Sequence, residues 1–343
     1  MRVNKFFLII SLIIFVLGGC SSENGTDTTE EITWDMPTPF AETVFHTQNI
    51  QQFAEDVKKL TDGKLIIRIH AGASLYKHPE ITRAVRSGQV PAGEFLISLL
   101  GNEDPLFQVD ALPLLATSYG QAEKLWQASR PEIEALLEQQ NLKLLFAIPW
   151  PPQGLYTKKE INSLEDLRGT KMRVYNSLLA RFVELMGGIP ATVQSPEIPQ
   201  AFSTGIIEAM ITSPSTGVSS QSWDYVNYYY EVQAWIPKNA VIVNKTTFDA
   251  LPPKQQTAIL KAAEIAEKRG WEMSKEETVE KTKILEDNGM QVLGLTDELR
   301  TGLDKIRQEM IREWQARAGA VGKRVLDDFY KQMEVKNSTK ERS

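Results

Sequence analysis

The stretch "KMRVYNSLLARFVELMGGIP" (171–190) concentrates the chemistry of this chain in one charged side chain. Met172 and Val174 suit a buried strand, yet Arg173 sits between them just before a turn. A guanidinium stays charged, so it must reach solvent, pair with a carboxylate of the chain such as Asp166, or meet an anion from outside. In open parallel sheets ligands bind beyond the carboxyl ends of the strands, where helix N-termini also point. Arg173 lies near such an end, with Ser177 placed to cap the next helix, and Ser213 follows a third strand at the equivalent edge. On the residues alone, a lobe-stabilising bridge and an anion anchor are equally open. Trp150, Trp223 and Trp235 fall at a crossing, a loop and a return strand, positions where tryptophans line pockets or pack cores.

Other chemistry is sparse. His46, His70 and His78 match no zinc spacing and are expected in solvated or capping roles. There is no G-x-S-x-G, H-E-x-x-H, P-loop, G-x-G-x-x-G or EF-hand loop, so no cofactor or metal is expected and catalysis loses ground.

The elements that would position Arg173 alternate between two periods. Strands are expected at 31–36, 65–70, 90–100 and 142–150, separated by helices at 43–60 and 79–86 and helical material over 119–140 with Pro131 opening a second piece. "PWPPQG" (149–154) reads as a crossing into a second domain. Strands then recur at 170–175, 189–193 and 206–212, with helices from Ser177 and from Ser195 to Thr204. "YYYEV" (228–232) reads as packing, and 231–244 as a strand returning across the domains. Two amphipathic helices close the chain, at roughly 254–288 and 296–335. Two α/β lobes facing a cleft are the expectation.

The first twenty residues differ from the rest. Arg2 and Lys5 precede an apolar run from Phe6 to Leu17 that ends in "LGGC" (17–20), too short and wrongly flanked for a spanning helix. This fits the lipobox of bacterial lipoproteins, with residues 1–19 as signal peptide, Cys20 as the lipidated N-terminus and 20–31 as a polar tether. Cys20 is the only cysteine, so no disulfide forms. Losing residues 1–19 leaves 36 basic against 44 acidic side chains, a net charge of −8 that excludes a nucleic-acid partner.

The segments "GKLIIRIHAGASL" (63–75), "SLEDLRGTKMRVYNS" (163–177) and "FSTGIIEAMITSP" (202–214) resemble the solute-binding proteins of tripartite ATP-independent periplasmic (TRAP) transporters. The "L-x-G-x-K-x-R-V" pattern in the second is the specific one. This resemblance implies a two-lobed, type II-like periplasmic binding protein fold with mixed, mainly parallel sheets and long C-terminal helices bridging the lobes. Lobe I is expected to hold 32–150 with about 238–278 and lobe II 151–237 with about 279–335, followed by a flexible tail at 336–343. It also implies that Arg173 binds the carboxylate of a small organic acid, which a membrane permease then accepts.

Two positions depart from the family pattern. Gln153 stands where many members carry a second arginine, and Ser213 where many carry a ligand-touching asparagine. Trp235, Asn176, Lys77, Phe95 and neighbouring Glu94 complete the pocket that the resemblance implies. One charge clamp with aromatic walls argues for a monocarboxylate with a hydrophobic or ring-shaped body. The alternatives are an extracytoplasmic enzyme acting on a carboxylate, or a sensor module that presents ligand to a receptor.

Overall fold

The computed structural model describes residues 31–340, so the expected signal peptide, Cys20 and nearly all of the expected tether lie outside the described residues. The first half alternates as expected: β1 (Ile32–Pro37), α1 (Phe45–Leu60), β2 (Leu65–His70), α2 (His78–Arg86), β3 (Ala92–Leu96), α3 (Tyr119–Glu138) and β4 (Leu142–Pro149). α3 is one helix with Pro131 inside it, rather than two pieces. Trp126, Ile133 and Leu137 on either side of Pro131 are buried, and that burial carries the helix through the missing amide donor.

The second half holds β5 (Gly154–Thr157), β6 (Lys171–Val174), α4 (Ser177–Leu185), β7 (Ile189–Thr192), α5 (Ile198–Ser203), β8 (Ala209–Thr212), α6 (Pro214–Ser219) and β9 (Tyr228–Tyr230). Then come β10 (Lys238–Asn244), α7 (Lys245–Asp249), α8 (Pro253–Asp287), β11 (Gln291–Leu293) and α9 (Asp297–Lys340), the last broken at Gly319, whose φ is +59°. α9 therefore runs into the stretch expected to be a flexible tail.

β1 pairs parallel with β2, and β10 returns antiparallel between β3 and β4. The second sheet has six strands in the order β11-β9-β5-β8-β6-β7, in which β6 runs parallel to both β7 and β8 while β5 is antiparallel to its neighbours. The fold is thus two-lobed α/β with mixed sheets. The tyrosines of "YYYEV" do more than pack, because they form β9; short β5, β9 and β11 are too brief to show a period in sequence.

α8 lies along β4, and Gly270 permits the approach: a Cβ there would come 2.4 Å from Ile148 Cγ2. Arg269 fastens the same helix to α1 through Asp56 at 3.0 Å and Asn49 at 2.7 Å. One core unites Val109, Leu112 and Leu125 with Met172, Phe182 and Trp235 and with Trp314 of α9, so the last helix joins both halves.

Candidate functional site

β6 has Met172 and Val174 on one face, buried with Phe182 and Val183, which turns Arg173 to the opposite side. Its side chain is 4% exposed. Nε donates to Val193 O at 2.9 Å, and the guanidinium stands 5.2 Å from the Tyr175 ring centroid. Among the described residues no carboxylate lies within 4.0 Å of it. Asp166, the alternative partner, accepts instead from the Asn162 and Ser163 backbone amides at 2.8 and 2.9 Å. Burial pulls the Arg173 pKa down to about 10, with Tyr175 and distant Glu197 opposing.

An unpaired buried cation is costly, and here it faces a cavity of about 50 Å³. Lobe I contributes Phe40, His78, Leu96, Leu99 and Trp150; the second sheet contributes Arg173, Tyr175, Gln194, Ser195, Thr212, Ser213 and Thr216; the crossings contribute Gln153 and Pro237. Among the described residues, Arg173 is the single permanently charged group in that wall. A mouth of about 200 Å³ adjoins it, sharing Phe40, His78, Gln194 and Ser195 and adding exposed Lys77 and Glu197.

The crossing strands fix the middle of the wall. Trp150 N donates to Pro237 O at 2.8 Å, Gln153 N to Trp235 O at 3.0 Å, and Ala234 N to Gln153 O at 2.9 Å. The Gln153 side chain donates from Nε2 to Pro151 O at 2.8 Å, which assigns its amide orientation and leaves Oε1 as an acceptor. Trp150 packs between Phe40 at 4.9 Å and His46 at 4.2 Å. Ser213 caps α6, its Oγ accepting from Thr216 N at 3.1 Å.

Of the residues singled out in sequence, Arg173, Gln153, Ser213 and Trp150 meet at the cavity and Lys77 at its mouth. Trp235 stands behind the wall, donating to the Tyr175 hydroxyl at 3.3 Å and packing edge-on to Phe182. Glu94 is also one layer back, fully buried beneath Trp150. Strand alternation sends Phe95 to the other face of β3, into the cluster with Ile81 and Phe107. Trp223 packs against the Phe202 and Tyr229 cluster of the second lobe, away from the cavity.

Asn176, rather than Ser177, caps α4, its Oδ1 accepting from Leu179 N at 2.8 Å; its Nδ2 reaches Ser98 Oγ at 2.9 Å. Ser177, one position too far along to cap, bonds Asn102 at 3.1 Å. Ser98 and Asn102 follow β3 and Asn176 follows β6, so these contacts latch the two lobes together beside the cavity. The histidine expectation also changes. His46 is fully buried with Nδ1 3.1 Å from Glu94, and His78 lines the cavity. Tyr175, Gln194 and Thr216 were missed because only folding brings those loops together. Among the described residues no cluster of His, Cys, Asp or Glu is arranged to hold a metal, and no helix is long and apolar enough to cross a membrane.

Residues 40–318 match the DctP family model, described as bacterial extracellular solute-binding protein, family 7. The chain belongs to this family. The DctP7 receptor of Bordetella pertussis, which binds pyroglutamic acid, is 47% identical, covers 87% of this chain and 99% of its own, and superposes with a TM-score of 0.86. A marine-metagenome TRAP solute-binding protein specific for pyroglutamate is 41% identical over 88% of this chain and 99% of its own, with a TM-score of 0.87. The C4-dicarboxylate-binding periplasmic protein DctP of Rhodobacter capsulatus is 24% identical over 278 residues, 78% of this chain and 82% of that one. The protein is therefore an extracytoplasmic TRAP receptor for a small acid, and the Arg173 cavity lies between its lobes.

Proposed function

We propose that this DctP-family receptor captures pyroglutamate and passes it unchanged to the permease of an ion-gradient-driven TRAP transporter. The observation that carries this reading is Arg173, a buried cation without a carboxylate partner among the described residues, in a small cavity walled by Phe40 and Trp150. Pyroglutamate brings one carboxylate and a compact five-membered lactam. A dicarboxylate would bring a second charge, and among the described residues the cavity wall holds no second cation to meet it. Three receptors 41–47% identical to this chain bind pyroglutamate, which supports the same ligand here.

In this reading Arg173 forks onto the carboxylate, Gln153 Oε1 accepts the lactam N–H, Ser213 and Thr216 add polar wall, and Lys77 draws the anion into the mouth. Ser213 Oγ is engaged with Thr216 Oγ1 at 3.1 Å, and no His, Asp or Glu among the described residues hydrogen-bonds to it, which favours a receptor over an enzyme. Recovery of chemically unaltered ligand after prolonged incubation tests that choice. The lobes, 32–150 with about 238–278 and 151–237 with about 279–335, would close by bending at the crossings near Pro149–Pro152 and Pro237.

The anchor belongs to the same proposal. Cleavage after Gly19 would leave Cys20 lipidated, with 20–31 as tether. Cys20→Ser should abolish incorporation of labelled fatty acid and release the protein from membranes.

The deciding experiment is thermal unfolding of the chain from residue 21 with pyroglutamate, glutamate, proline, malate and glucuronate. At a hundredfold excess over Kd a bound ligand adds about 2.7 kcal/mol of stability, a readily measured rise in Tm. Pyroglutamate alone among these should produce it. A Tm indifferent to millimolar pyroglutamate but raised by another acid would overturn the ligand assignment.

A further inference from the structure

His78 opens helix α2, and its ring borders both the cavity and the mouth. Its Nε2 accepts the Leu96 backbone N–H at 3.0 Å. A ring nitrogen that accepts cannot carry a proton, so the neutral imidazole must hold its hydrogen on Nδ1. Nδ1 makes no hydrogen bond among the described residues and is not fully buried. Phe40, edge-on at 5.5 Å, holds the ring from the side. Burial drives the His78 pKa down to about 4; Glu94 pulls it back and Arg173 adds to the depression.

Resting on the pyroglutamate reading, we propose that His78 is a specificity-determining residue that donates Nδ1–H to the ligand's neutral carbonyl oxygen while Arg173 holds the carboxylate. The cavity then has two unlike ends. A cation meets the anion, and a fixed neutral donor meets the lactam oxygen. A second carboxylate placed at His78 would keep its charge uncompensated in a dry site, and proline, with no carbonyl, would leave Nδ1–H unpaired. Gln153 Oε1 complements the donor by accepting the adjacent lactam N–H. Binding therefore reads the amide edge of the ring as well as its acid, and this separates the lactam from its open-chain and reduced relatives.

The test uses two ligands that differ only in the carbonyl: 5-oxotetrahydrofuran-2-carboxylate and tetrahydrofuran-2-carboxylate, titrated calorimetrically beside pyroglutamate. Wild type should prefer the oxo compound by about 10- to 100-fold. His78→Phe should collapse that preference towards unity while the affinity for tetrahydrofuran-2-carboxylate changes less than about threefold. If both affinities fall together with the ratio intact, His78 merely supports Leu96 and the proposal is wrong.

Should the variant fail to fold, nitrogen-15 spectra of the three wild-type histidines decide. A proton on Nδ1 of His78 that moves downfield with pyroglutamate supports the role; a proton on Nε2, or no response, overturns it. A wild type that ignores pyroglutamate yet keeps the oxo preference refutes the ligand and not His78. One that binds none of the three refutes both.

Discussion

Trp150 donates from its indole Nε1 to Asn239 Oδ1 at 2.9 Å, and Asn239 donates in turn to the buried Glu94 carboxylate at 3.0 Å. A wall of the ligand cavity is thereby fixed to an anion that does not line it. Glu94 also accepts from Thr38 Oγ1 at 2.5 Å. Burial pushes its pKa up, but hydrogen bonds from His46, Asn239 and Thr38 outweigh this and hold the carboxyl below its usual value.

Asn239→Leu cuts this chain of contacts, leaving the indole without its acceptor and Glu94 with one donor fewer. We expect a stability loss of about 1–3 kcal/mol in denaturant melts, together with roughly tenfold weaker pyroglutamate binding by calorimetry. Unaltered affinity would mean that packing by Phe40 and His46 holds Trp150 without the hydrogen bond.

Arg173→Ala removes the only fixed charge that the described residues place in the wall. Binding should weaken by about 2–5 kcal/mol, and pyroglutamate should no longer raise Tm. Without ligand the variant should melt no lower than wild type, because an uncompensated buried cation has gone. A clear fall in ligand-free Tm would instead mark Arg173 as part of the scaffold.

Ser98→Ala breaks the hydrogen bond to Asn176 that links the two lobes and leaves the α4 cap in place. The lost bond is worth about 0.5–1.5 kcal/mol, so ligand release should quicken by roughly two- to tenfold in stopped-flow tryptophan fluorescence. An unchanged release rate would remove this contact from the closure mechanism.

Acid should destabilise the fold through its buried histidines. Burial holds His46 and His78 below their ordinary 6.5, His78 at about 4. The unfolded chain takes up protons in that window that the folded chain refuses, so stability present above pH 6.5 is lost as pH falls towards 4. Calorimetric Tm should drop across this range, and less steeply in His78→Phe. A pH-independent Tm would show that these rings charge freely in the native state.

How far the sequence reached can be judged from particular residues. Arg173 was visible as a charge interrupting a buried strand, and β1, β2, β4 and β6 were visible through their periodic apolar positions, because both signals lie within a few neighbouring residues. The prolines at 149–152 likewise marked a crossing from local backbone chemistry. Phe95 and Glu94 were named together, yet alternation along β3 sends them to opposite faces and only the tertiary structure says which faces the cavity side.

His78, Tyr175, Gln194 and Thr216 carry no local mark, since each becomes part of one wall only when segments more than a hundred residues apart meet. The sequence by itself determined the two-lobed α/β class and marked Arg173 as a charge out of place in a buried strand. Tertiary structure decided that no carboxylate among the described residues answers Arg173, that Asn176 rather than Ser177 caps the following helix, and that His78 borders the cavity. Those outcomes depend on burial and hydrogen-bond partners, which arise between distant segments and are not written in any one of them.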